Sequence, residues 1–172
     1  MKKVIALCII SLVAFTSCIS NEDAVEITAS SQIIKSTSVT IAKTNGTATS
    51  FEDSSSVAIA DAITNIGDAS SITVDALSYK VKNFIGNTDG IASITLKIND
   101  VVYTSEVDIN ISNAATAGTI FEINDASLIS QLENILLNDT EVTIQFSGSA
   151  LSDAGDMSFD IEFSIDLTAT LS

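Results

Sequence analysis

Towards its C-terminal end the chain alternates without a break. Phe159, Ile161, Phe163, Ile165 and Leu167 are apolar, while Ser158, Asp160, Glu162, Ser164, Asp166 and Thr168 are polar. Only a β-strand places residues i, i+2 and i+4 on one face, so this stretch reads as a long strand with one buried and one wet side. The same alternation sets Val142, Ile144 and Phe146 against Glu141, Thr143 and Gln145, and Val107, Ile109 and Ile111 against Asp108, Asn110 and Ser112. Abundant Ser and Thr suit the exposed faces. A single sheet built this way would leave its apolar face in water, so a second layer must cover it.

Turn residues set the registers. Asn99-Asp100 as a two-residue hairpin turn pairs Ile98 with Val101, Leu96 with Tyr103 and Ile94 with Ser105, which keeps the apolar set on one face. For Asn45-Gly46, a three-residue loop Thr44-Asn45-Gly46 sets Ile41 opposite Thr49 and Val39 opposite Phe51, with Gly46 left-handed. Between Ser71 and Asn83 the phase switches from Ile72 and Val74 to Leu77, Tyr79 and Val81. A bulge near Asp75-Ala76 would return both sets to one face.

Leu128, Leu132, Ile135 and Leu136 have helical spacing, with Asp125 placed to cap the start and Asn138 to end the helix. A second, shorter helix is expected over Ala58–Ile66, with a strand continuing through Val57 and Ile59 as its alternative. About eight strands, one or two short helices and mostly hairpin links indicate an antiparallel, immunoglobulin-like β-sandwich over residues 36–172; a small closed barrel is the competitor. From Lys82-Asn83-Phe84 onward, the order of strand Ile94–Ile98, the Val101 hairpin, helix Leu128–Leu137, strand Val142–Gly148 and a long last strand resembles the late-embryogenesis-abundant, water-stress type of sandwich domain. This chain lacks the proline that usually follows the asparagine there. The resemblance bears on fold and not on function.

The N-terminus reads as an address. Lys2 and Lys3 precede an uncharged, mostly apolar run from Val4 to Phe15, of about 12 residues, too short for the roughly 20 of a spanning helix and suited to a signal peptide. The run ends in Phe15-Thr16-Ser17-Cys18, which resembles the lipobox of bacterial lipoproteins, although Phe15 stands where an aliphatic residue is usual. The resemblance implies removal of residues 1–17 and diacylglycerol on the Cys18 sulfur, with a further acyl chain such as palmitate on the new amine. An ordinary cleaved signal and an uncleaved anchor are the alternatives. Cys8 leaves with the signal, so Cys18 would be the only mature cysteine and no intrachain disulfide could form. Residues 18–35 read as the lipidated cysteine and a flexible tether. Its Asn21-Glu22-Asp23 is similar to the acidic surface-export signals of Bacteroidota lipoproteins, which implies the cell surface rather than the periplasmic face of the outer membrane.

Charge and inventory restrict function. The whole chain carries a net charge of −15; without Lys2 and Lys3, five lysines face 22 carboxylates, −17 net. Such a chain repels nucleic acid and anionic lipid headgroups. With 46% hydrophobic residues it is nonetheless a folded domain. Histidine, arginine, tryptophan and proline are absent, which excludes a Ser-His-Asp or Cys-His nucleophile and a His-ligated metal. Carboxylate pairs could serve a glycosidase, but the aromatic platforms a sugar cleft needs are scarce, and no enzyme is expected. Calcium is the one cofactor to weigh, because it takes oxygen ligands from Asp/Asn loops. The candidates are Asn87-Thr88-Asp89-Gly90, Asp153-Ala154-Gly155-Asp156 and Asn65-Ile66-Gly67-Asp68, all of which also suit plain turns. Tyr79 and Tyr103 could face a glycan, yet they share parity with apolar neighbours and read as core residues whose hydroxyls reach the rim. The expectation is a non-catalytic lipoprotein, anchored at the outer membrane, that serves as an interaction or structural module for another envelope protein. The alternatives are a calcium- or glycan-binding surface module and a small fimbrial-type subunit.

Overall fold

The computed structural model describes residues 27–59, 69–139 and 141–171. Their elements are β1 (Ile27–Ile41), β2 (Thr49–Ala58), β3 (Ala69–Gly86), β4 (Ile91–Ile98), β5 (Val101–Asn110), α1 (Ile111–Ala117), β6 (Ile120–Glu122), α2 (Ala126–Asn138), β7 (Glu141–Leu151) and β8 (Met157–Leu171). They form two four-stranded antiparallel sheets, ordered β1-β8-β3-β6 and β2-β7-β4-β5. The chain is a mainly β protein, a β-sandwich with two short helices among the described residues.

β8 is the backbone of the first sheet. It buries Phe159, Ile161, Phe163, Ile165 and Leu167, as its alternation requires, and pairs with β1 on one side and β3 on the other. Phe146 of β7 lies edge-on to Tyr79 of β3 at 6.0 Å and to Phe163 at 6.4 Å between ring centres, and Tyr79 stacks on Phe121 of β6 at 4.7 Å. These rings join the two layers at the centre of the core.

Several local expectations hold. The register of β3 against β8 slips between Val74 and Ala76, leaving Asp75 as the extra residue, and Ile72, Val74, Leu77, Tyr79 and Val81 are all buried. Asn99 and Asp100 both have positive φ, 46° and 66°, as a two-residue hairpin turn demands. Asp125 caps α2 by accepting from the N–H groups of Ser127 and Leu128, and Leu132 and Leu136 are fully buried.

Others are corrected. Residues 27–35, expected as tether, belong to β1, because β8 runs opposite them as far as Ile27–Leu171. β1 and β2 form no hairpin ladder; they lie in different sheets, and the chain crosses the sandwich between them. Gly46 is left-handed as expected, but so is Asn45, and the Thr47 N–H donates to the Thr44 carbonyl, so the chain turns on two central residues and not on the expected three-residue loop. In the β4–β5 hairpin, Ile98 faces Val101, but Leu96 faces Thr104 and Ile94 faces Glu106, since the register shifts by one beyond Lys97–Val102. A second shift leaves Val107 exposed and Asp108 at positive φ. The strand then ends at Asn110, and Ile111–Ala117 is a helix rather than more strand. The expected helix at Ala58–Ile66 falls largely on residues 60–66, outside the described residues; Ala58 is the last residue of β2.

Candidate functional site

Three connections meet at one end of the sandwich: β1–β2 at 42–48, β3–β4 at 87–90, and β7–β8 at 152–156. Ser152, the one fully buried polar side chain among the described residues, is their hub. Its hydroxyl donates to the Gly155 carbonyl at 2.7 Å and accepts from Asn87 Nδ2 at 3.0 Å, while its N–H donates to Thr44 Oγ1 at 2.8 Å. The Thr44 N–H returns a bond to the Ser152 carbonyl. Three loops are thus held by one small side chain and its main chain.

The expected ligand residues partly converge here. Asp153 Oδ1 accepts from the Gly46 N–H at 2.6 Å and from Thr44 Oγ1 at 2.7 Å; these two bonds hold its carboxyl below the usual range. Asp156 Oδ1 accepts from the Lys43 N–H at 2.9 Å, and its carbonyl accepts from the Asn87 N–H. Asn87 Oδ1 accepts from the Asp89 N–H, closing its own turn. Asp89 itself stays exposed at the tip. At Gly86, just before the turn, φ is +113° and an added Cβ would stand 2.2 Å from the Asp156 carbonyl, so the two loops touch through bare main chain. Asn65 and Asp68 lie outside the described residues.

Asn87, Asp153 and Asp156 therefore serve as acceptors and donors that lash loops together. Calcium takes six to eight oxygens. Among the described residues, no three His, Cys, Asp or Glu side chains are grouped to hold a metal ion. Ser152 was not singled out in the sequence because nothing separates it from the many surface serines; only the meeting of three loops buries it.

Two depressions lie elsewhere. One, of about 300 Å³, sits on the outer face of the first sheet, lined by Gln32, Ser78, Ser164, Ile34, Ile120 and the Lys80–Glu162 ion pair of 2.9 Å. Burial pushes the Glu162 carboxyl up, but hydrogen bonds and charge from Lys82 and Lys80 outweigh it and hold the pKa below the usual value. The other, of about 320 Å³, runs between β1 and β2, with Val39, Phe51 and Phe146 as its floor and Thr37, Ser50, Glu52 and Asp53 at its rim. Glu52 and Asp53 are consecutive strand residues, so their carboxylates project to opposite faces and do not converge on one point. Thr37 Oγ1 donates to Asp53 across this gap.

Tyr79 and Tyr103 lie in the core, 1% and 5% exposed, and their hydroxyls have no hydrogen-bond partner among the described residues. They do not reach the rim. Burial raises both phenol pKa values, and the Glu106 charge adds to the rise at Tyr79. Neither ring offers a face to a sugar. No helix among the described residues is long and apolar enough to cross a membrane. Comparison with known proteins gives no matching family model and no matching curated protein.

Proposed function

We propose that this chain is a non-catalytic lipoprotein of the bacterial outer membrane, displayed at the cell surface, whose sandwich serves as an interaction or structural module for another envelope protein. The observation that carries the reading is the placing of Cys18 behind Phe15-Thr16-Ser17, nine residues before Ile27, where the described part of β1 starts. Nine residues span at most about 30 Å when fully extended. A sandwich tethered so briefly stays beside the headgroups, where a partner in the same membrane meets it at high local concentration. Two or three acyl chains at about 0.8 kcal/mol per buried methylene would make the attachment durable. The inventory without His or Arg and the loop end tied by its own acceptors support a binding role over a chemical one.

Intact-mass analysis of the protein isolated from cells, with palmitate labelling, tests the anchor. The expected result is a mature start at Cys18 carrying acyl chains, and a Cys18→Ser variant that no longer sediments with membranes. An unacylated mature start would overturn the reading.

A further inference from the structure

The four edge strands are protected unequally. β5 carries two register shifts, β6 is only three residues long, and β2 turns the charge of Asp53 inward. Bulges, short edges and inward charges all discourage a further strand from pairing. In β1 the inward charge is Lys35, opposite Phe163, which guards the first half. The second half, Thr37–Ile41, has no charge, no proline and no bulge in its pairing with β8. Among the described residues no main-chain bond is made to its outer side.

Carboxylates gather around that half-strand. Asp53 faces into the gap beside Thr37, Glu52 stands at its rim, and Asp160 lies on the outer face, where it accepts from Ser38 Oγ and Asn83 Nδ2 and has Lys82, itself bonded to Glu162, opposite it on β3. None of the three is ion-paired; the ion pairs among the described residues are those of Glu162 with Lys80 and Lys82. A strand added beside β1 would point alternate side chains inward, over Val39, Phe51 and Asp53, and outward, towards Asp160.

We propose that Thr37–Ile41 is a docking edge for an extended, lysine- or arginine-bearing segment of another protein, which adds to the first sheet as a fifth strand. Main-chain bonds supply the pairing, and Asp53 and Asp160 select cationic side chains. A second copy of this chain fits poorly, because its own Asp53 and Asp160 would be brought up to the same carboxylates. The proposal rests on the interaction reading above and names the surface and the partner's chemistry.

The test uses the mature protein in detergent and a labelled synthetic peptide alternating lysine and valine, read by fluorescence anisotropy. Binding is expected to weaken about tenfold in an Asp53→Asn/Asp160→Asn variant with unchanged melting behaviour, and about tenfold when alternate peptide amides are N-methylated. The same peptide with glutamate for lysine should not bind. Absence of binding, equal binding of the glutamate peptide, or indifference to N-methylation would overturn the proposal, as would a dimer in sedimentation that excludes the peptide. In cells, a photo-crosslinker at Ser38 should join an extended basic segment, while one at Ser105 on β5 should not. Capture at Ser105 alone would remove this edge and leave the interaction reading standing; capture at neither would remove both.

Discussion

The two lateral sides of the sandwich are finished differently. On one side the edge is β3 with its short neighbour β6, and α1 and α2 both pack against β3 while also touching β5 and β7 of the other sheet. Ile111, Leu132 and Leu136 are buried there to the last atom. On the other side β1 and β2 face each other, and among the described residues no helix lies between them. Among the described residues, one Thr37–Asp53 hydrogen bond and the edge-on contact of Phe51 with Phe159, 6.2 Å between centres, join the sheets on this side. A helix can seal a sandwich because it carries its own backbone bonds and needs only an apolar stripe. Where no helix is spent, polar side chains fill the mouth and a row of main-chain groups stays available.

Substitutions on the two sides should separate them. Leu132→Ala, in the sealed wall, is expected to cost about 3–4 kcal/mol, because a fully enclosed cavity can neither collapse nor hydrate. Val39→Ala, beside the open gap, should cost only about 1–2 kcal/mol. Urea unfolding of both variants checks the difference, and equal costs would mean that the gap is closed in solution. Next in size is the cap of α1, where Asn110 accepts from the Asn113 N–H and donates to the Thr88 carbonyl. Asn110→Ala should lose about 1 kcal/mol, with faster amide exchange confined to the helical side.

The titrations sharpen the contrast further. Glu162 and Asp153 have lowered folded pKa values, so their contribution is complete above the unfolded value near pH 4 and lost as pH falls through the folded one. Glu162→Gln should flatten the acid limb of the stability curve. Tyr79 behaves in the opposite sense. Its phenol stays neutral in the fold while the unfolded chain ionises near pH 10, so stability is expected to fall as pH rises past about 10. Tyr79→Phe removes a hydroxyl with no partner among the described residues, and should leave neutral-pH stability unchanged or slightly higher while reducing the alkaline loss, of which Tyr103 keeps a share. The smallest effect is expected at the loop end. Millimolar calcium should leave the melting temperature where it is, since Asp153 and Asp156 already serve the Gly46, Thr44 and Lys43 donors. A rise reversed by EDTA would make that end a metal site.

What could be read in advance was local. The Asp75 bulge follows from a change of parity, and the α2 helix from spacing plus an Asp125 cap, both complete within a dozen residues. Alternation fixes which residues share a face but not which sheet a strand joins. Thr37 does stand across from Asp53, in the register expected for Val39 and Phe51, yet across the gap between layers and not along a ladder. Residues 27–35 lack a clean period and become strand because the long β8 offers them partners. The helix at Ile111–Ala117 was masked by apparent alternation through Ile109 and Ile111. Its signals were Asn110 at the cap and Gly118 at the left-handed end, φ 63°. At the loop end the aspartates were visible, but the buried serine that organises them was not.

Residue-resolved amide exchange on the mature chain addresses the open edge most directly. In Thr37–Ile41, amides bonded to β8 should exchange as slowly as β8 itself, and those on the outer side should exchange orders of magnitude faster. Uniform slow exchange across all five residues would mean that the edge is already covered, and would contradict the account.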